Sequence, residues 1–229
     1  MASIEDLRDR HVVITGGTGA LGSAVVEVLR ASGAICHLPV RRPGAPAPAT
    51  VLVTPGVDLT DEAAVTRFFA SLPSLWASVH VAGGYAAAPM LESSLAMLRQ
   101  QVDLNLVTAF LCSREAVRAM RRSGKGGRIV NTASRAAVTP AAGAVAYAAS
   151  KAGVVALTSS LAPEVRSDRI LVNAIAPAII DTPDNRAAMP NADRTTWASP
   201  AAIAETIAWL ISPRNTLISG AVVPVYGRA

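Results

Sequence analysis

The chain has 229 residues, 51% of them hydrophobic and 16% charged, enough for one full-sized α/β domain or two cramped ones and too apolar for disorder. Its two cysteines, Cys36 and Cys112, lie far apart and match no metal-ligand spacing, so neither a disulfide framework nor a bound metal is expected, and a reducing, cytoplasmic setting is. The balance of 21 Lys+Arg against 16 Asp+Glu gives +5 and a pI near 9.9.

That excess is arginine spread along the chain. Its densest cluster, Arg114, Arg118, Arg121, Arg122, Lys125 and Arg128, reads as running off a helix C-terminus, where cations complement the helix dipole. No nucleic-acid partner is expected. The longest stretch without Asp, Glu, Lys or Arg, 68–91, contains Pro73, His80, Gly83, Gly84 and Pro89, a poor membrane helix. The opening MASIEDLRDR has no basic start followed by an apolar run, so neither a leader nor a membrane partner is expected.

In chain order, HVVIT (11–15) predicts a strand, followed by a glycine-rich turn and a helix that runs through Leu29 and stops at Gly33. AICHLPV (34–40) and VLV (51–53) predict two more strands, separated by a Pro/Ala-rich connector with Pro43, Pro46 and Pro48. These prolines disfavour a crossover helix there. The alternation continues with a helix at about 60–72, a strand in SVHVAGG (78–84), a long helix at about 92–122 and a strand in GRIVNTAS (127–134). A helix at about 146–165, a strand in ILVNAIAP (170–177), a helix at about 200–211 and a strand in AVVPV (221–225) complete it. Nearly continuous apolar strands alternating with helices predict a doubly wound parallel sheet with helices on both faces, in a single domain over residues 1–229. Residues 182–199 hold Pro183, Pro190, Asn191 and Asp193 and read as an irregular lid or binding loop, with the substrate loop at about 183–199. Whether Asp184 and Arg186 in that loop meet a polar substrate or each other is open.

TGGTGALG (15–22) stands between the first strand and the first helix, where glycines let backbone N–H groups and a helix N-terminus approach a pyrophosphate. Gly16, Thr18, Gly19, Ala20, Leu21 and Gly22 are the candidate dinucleotide cradle. At the end of the second strand a carboxylate would bind the adenosine ribose, whereas an arginine would neutralise a 2′-phosphate. The chain offers Val40, Arg41 and Arg42 there, which predicts NADP(H) in preference to NAD(H).

Tyr147 and Lys151 stand four apart in YAASK, on one face of a predicted helix. Ser134 follows a strand, at the carboxyl end where ligands of open α/β sheets bind. A phenol needs its pKa moved by roughly three units, about 4 kcal/mol, to exchange protons efficiently at neutral pH. A neighbouring ammonium favours the phenolate, and a serine hydroxyl can hold the substrate oxygen.

Together, TGGTGALG, Ser134, Tyr147 with Lys151, Asn105 in DLNL, and NAIAP followed by Thr182 resemble the short-chain dehydrogenase/reductase family over essentially the whole chain. The resemblance implies a Rossmann-type fold in which Tyr147 is the general acid/base, Lys151 lowers its pKa and holds the nicotinamide ribose, and Ser134 orients a carbonyl. It gives Asn105 a water in a proton relay, Asp58 with Leu59 the adenine, and Ala82, Gly83 and Gly84 the ribose side. Pro177, Ile180 and Thr182 fall near the nicotinamide carboxamide. In this family the helices matching 92–122 and 146–165 pair across a two-fold axis, which implies a homodimer or homotetramer.

Finer likeness in GGTGALG, AGGY and DTPDNRAAMPNADRTTW (181–197) is to dihydropteridine-reductase-like members, and makes Tyr85 a substrate-stacking aromatic. Those members carry an acid at the second strand's end and lack the serine supplied here by Ser134. The expectation is therefore an NADP(H)-dependent reductase of the carbonyl in a small apolar or mixed substrate, with a quinonoid pterin reductase as the alternative. In another class altogether, a non-catalytic NADP(H)-sensing regulator would need no Ser134, Tyr147, Lys151 and Asn105 together.

Overall fold

Strands that are apolar on both faces must be covered twice. In the computed structural model, which describes residues 7–42, 49–139 and 142–228, helices do so from both sides of one sheet. Its strands are His11–Thr15 (β1), Ile35–Pro39 (β2), Val51–Thr54 (β3), Ala77–His80 (β4), Gly127–Thr132 (β5), Ile170–Pro177 (β6) and Val222–Val225 (β7). All pair in parallel, in the order β3-β2-β1-β4-β5-β6-β7. The strand order reverses between β1 and β4, and a crevice opens at such a point because the connections on its two sides lead to opposite faces.

The helices are Ala20–Ala31 (α1), Glu62–Ala70 (α2), Leu95–Val102 (α3), Thr108–Ser123 (α4), Arg135–Val138 (α5), Val145–Glu164 (α6), Pro183–Ala188 (α7) and Pro200–Ile211 (α8). On one face, Val25 and Leu29 of α1 meet Ile203, Ile207 and Leu210 of α8 over Val12 and Ile14 of β1. On the other, Phe68 and Phe69 of α2 meet Leu111 and Met120 of α4 over Val13 and Ile129. Each fully buried side chain of this size contributes about 1.5–3 kcal/mol. α6 closes a smaller cluster in which Val154 packs with Ala174 and Ala176 of β6. By length and composition α6 could cross a membrane, but Ser150, Lys151, Val154 and Thr158 are buried inside the fold.

Three sequence expectations are corrected. The helix expected over 92–122 begins at Leu95, where the Ser94 side chain accepts the Met97 N–H, and widens into a π turn over Asp103–Val107 before α4. The 182–199 segment is not irregular throughout: it contains α7 and a 3₁₀ turn at Arg194–Thr196. Pro183 starts a helix there because a first-turn proline gives up no hydrogen bond, and Thr182 caps it by accepting the Asn185 N–H. Arg128 is no helix-end cation. It lies 8% exposed in β5, over the Trp76 ring at 4.9 Å, and donates to the Asn215 carbonyl at 2.7 Å.

Other members of that arginine cluster do sit on a helix surface, Arg114 and Arg118 on Glu115 and Arg121 on Asp168. Pro43, Pro46 and Pro48 lie outside the described residues.

Candidate active site

The turn after β1 shows why it is built from glycine. Gly16 has φ +68°, and a Cβ there would stand 2.7 Å from the Ala82 nitrogen at the end of β4. A Cβ on Gly22 would stand 2.0 Å from the Gly16 carbonyl oxygen. Only bare backbone lets turn, strand end and helix start converge so closely. α1 then begins after Gly19, with no side-chain cap and no acid in its first turn, leaving its N–H groups for an outside anion. A cleft of about 720 Å³ runs past this turn, lined among others by Gly16, Thr18, Gly19, Ala20, Leu21, Gly22, Arg41, Arg42, Asp58, Leu59, Ala82 and Gly83. Its size, glycine cradle and uncapped helix start fit a dinucleotide.

At one end, Arg41 and Arg42 follow β2 on the surface of the cleft. Asp58 accepts both the N–H and the hydroxyl of Thr60 on Oδ1, at 2.9 and 2.8 Å. Those bonds, with a smaller pull from Arg41, hold its carboxyl below the usual range. The ion can therefore accept an outside amine at neutral pH.

The other end carries titratable groups. Lys151 is 5% exposed; its ammonium donates to the Thr132 carbonyl at 2.8 Å and stands 6.0 Å from the centre of the Tyr147 ring. A Cβ on Gly83 would lie 3.4 Å from Lys151 Nζ, so the cleft leads directly to this amine. Burial lowers the Lys151 pKa to about 8. Burial also pushes the Tyr147 phenol up, a hydrogen bond with Ser134 pulls it down, and Tyr85 adds a further small rise. Desolvation is the largest of these influences, and the lowering by Lys151 expected above is not among them. The phenol keeps its proton.

Ser134, at the end of β5, accepts the Ala136 N–H at 3.2 Å and caps α5. Tyr85 is 70% exposed and meets Tyr147 edge-on, ring centres 4.9 Å apart. The Asn105 side chain is anchored by the chain around it. Its Oδ1 accepts the Gly84 N–H at 3.0 Å, and its Nδ2 donates to the Gly84 carbonyl at 3.0 Å and to Ser150 at 3.2 Å. The π turn aims it inward, so Asn105 clamps the strand end that leads to Tyr85. Pro177 ends β6 and Ile180 and Thr182 follow it, all three outside the lining of the cleft. The Arg186 guanidinium bonds Asp181, not Asp184, at 2.6 and 2.8 Å.

Sequence reasoning missed several supporting groups. Thr15 accepts the Ala82 N–H at 3.2 Å. A fully buried ladder runs from Ser78 to His80 Nε2 at 2.8 Å, from His80 Nδ1 to Asn131 Oδ1 at 2.8 Å, and from Asn131 Nδ2 to Thr158 at 3.0 Å. Because Asn131 Oδ1 can only accept, the His80 proton is assigned to Nδ1. The ladder ties β4 and β5 to α6, the helix that bears Tyr147 and Lys151. Its one sequence signal is polar residues at strand positions that should be apolar.

The family profile described as short chain dehydrogenase matches residues 10–193. A cis-4-hydroxycyclohexanecarboxylate dehydrogenase of Sinomonas cyclohexanicum is 32% identical over 246 residues, 97% of this chain and 97% of that protein. The 3-oxoacyl-[acyl-carrier-protein] reductase MabA of Mycobacterium bovis is 32% identical over 95% of this chain and 92% of its own length. A short-chain type dehydrogenase/reductase from Mycobacterium ulcerans superimposes with TM-score 0.89 at 27% identity, over 97% of this chain and 90% of its own. ElxO with NADP bound gives TM-score 0.88 at 20% identity, over 96% and 98%, a likeness of fold alone. With an all-parallel sheet, a glycine cradle at its switch point and relatives aligned end to end, the chain belongs to the short-chain dehydrogenase/reductase family and is an NAD(P)(H)-dependent oxidoreductase acting on alcohol and carbonyl groups.

Proposed function

We propose that this enzyme reduces the carbonyl of a small apolar or mixed substrate with NADP(H), Tyr147 serving as the general acid. One observation supports the reading: the Tyr147 phenol is hydrogen-bonded with Ser134, and Lys151 Nζ, 6.0 Å from the Tyr147 ring centre, lies beside Gly83 of the glycine-lined cleft. Gly16, Thr18, Gly19, Ala20, Leu21 and Gly22 would hold the pyrophosphate, Arg41 and Arg42 the 2′-phosphate, and Asp58 with Leu59 the adenine. Ala82, Gly83, Gly84, Tyr147 and Lys151 would hold the nicotinamide ribose, and Pro177, Ile180 and Thr182 the carboxamide. When bound, the coenzyme supplies hydride; the protein supplies orientation and the proton.

Within that scheme Ser134 holds the substrate oxygen and the Tyr147 hydroxyl donates its proton as negative charge develops there. A phenol kept protonated by burial suits this direction. Lys151, held on the Thr132 carbonyl, stabilises the phenolate that remains. Asn105 holds Gly84 and, through it, the position of Tyr85, which would cover the substrate. A quinonoid pterin is the second reading, since the exposed Tyr85 ring beside Tyr147 offers a stacking surface for a flat heterocycle.

Oxidation of NADPH and NADH over a panel of ketones, aldehydes, quinones and quinonoid pterins tests the proposal. The expected result is faster turnover of ketones or aldehydes with NADPH, and a fall in the NADPH/NADH ratio of kcat/KM of about tenfold or more in Arg41→Ala, from loss of a charge-assisted phosphate contact. Coenzyme binding without turnover on any compound would make the protein a sensing regulator, and a wild-type ratio below one would remove the NADP(H) assignment. We also propose a cytoplasmic homodimer or homotetramer pairing through α4 and α6, where Phe110 is 48% exposed. Sedimentation as a 23.5 kDa monomer would contradict it.

A further inference from the structure

Arg135 follows Ser134 at the carboxyl end of the sheet, and its side chain is exposed. Its guanidinium carbon stands 5.8 Å from the centre of the Tyr226 ring. The residues after Tyr226 seat on the end of the 183–199 segment: the Arg228 N–H donates to the Thr196 carbonyl at 2.9 Å, and a Cβ on Gly227 would come within 2.6 Å of that same oxygen. Arg135 therefore follows the serine in the chain and stands by Tyr226, whose next two residues rest on Thr196.

No carboxylate of the described residues neutralises it. Their ion pairs use Arg114, Arg118, Arg121 and Arg186, and Asp181, just before the lid, is taken by Arg186. At the reacting end Ser134 and Tyr147 carry no charge, and the Lys151 ammonium is held on the Thr132 carbonyl. An uncompensated guanidinium steadied by an aromatic ring is prearranged for a planar anion, because its fork of N–H donors matches a carboxylate in two parallel hydrogen bonds.

We infer that the substrate is a carbonyl compound bearing a carboxylate, and that Arg135 is the specificity-determining residue that holds the carboxylate while Ser134 and Tyr147 take the carbonyl oxygen. This rests on the reading of Tyr147 as proton donor. The carboxylate is unchanged by the reaction and serves only as a handle.

The test uses matched pairs: levulinate against methyl levulinate, and 4-oxocyclohexanecarboxylate against its methyl ester. In the wild type, kcat/KM for at least one keto acid should exceed that for its ester by about tenfold or more. Arg135→Gln should erase the preference through KM and leave the ester within about twofold of wild type; Arg135→Lys should retain part of it. Equal use of acid and ester, a preference that survives in Arg135→Gln, or failure to turn over any keto acid would overturn the inference. Ester turnover without preference overturns the carboxylate handle alone, whereas turnover retained in Tyr147→Phe overturns the proton-donor reading and this inference with it.

Discussion

Lys151 is held in the fold at a cost. An ammonium whose pKa falls from 10.5 to about 8 through burial binds its proton less readily in the folded chain than in the unfolded one. At neutral pH this charge therefore destabilises the native state, by up to about 3 kcal/mol, partly offset by the bond to the Thr132 carbonyl. The sign is specific: the unfolded chain binds more protons between pH 8 and 10.5, so this group's contribution to stability rises with pH in that window. Lys151→Met, of similar volume and no charge, should raise Tm while lowering kcat by a hundredfold or more, on the order of 3 kcal/mol of transition-state stabilisation. A Tm that falls would show that the amine is structural. Stability given up at a functional position is a common trade.

Among the elements, the sheet, its strands and the helices 200–211 and 146–165 were legible, because apolar runs and 3.6-residue periodicity are local signals. So was the nearness of Tyr147 to Lys151, since residues four apart on one helix share a face, whereas the bond of Tyr147 to Ser134 needs the fold. What failed depended on contacts between distant segments. Nothing near Arg128 announces that Trp76 receives it, and the widening of the helix at Asp103–Val107 appears only once Asn105 has Gly84 to clamp. Proline at the first turn of α7 looked like a break because the capping Thr182 was not weighed with it.

The buried ladder belongs to this scale too. Thr158→Val removes the acceptor of the Asn131 amide, and an orphaned buried donor costs about 1–3 kcal/mol. Urea denaturation should show that loss in Thr158→Val and recovery of most of it in Thr158→Ser. Equal stability of all three proteins would mean that the ladder does not join α6 to the sheet.

For the whole molecule, two histidines couple stability to pH. Burial lowers His80 to about 4, and burial together with the charge of His11 lowers His37 to about 4. Both protonate more readily when unfolded, so the stability they support is complete above pH 6.5 and is lost as pH falls toward 4, roughly 3 kcal/mol for the enclosed His80 and less for His37, whose charge solvent screens in part. Tm should therefore drop across that interval, and His80→Asn should flatten the drop. An unchanged slope in that variant would place the acid sensitivity elsewhere.

Proton delivery to the carbonyl rests on Tyr147. Turnover of a carbonyl substrate by Tyr147→Phe, measured beside its coenzyme Kd, separates chemistry from binding. The expected result is a kcat lower by about a thousandfold or more, as befits loss of a general acid, with a Kd within about twofold of wild type. A variant that turns over at the wild-type rate would contradict the proton-donor role.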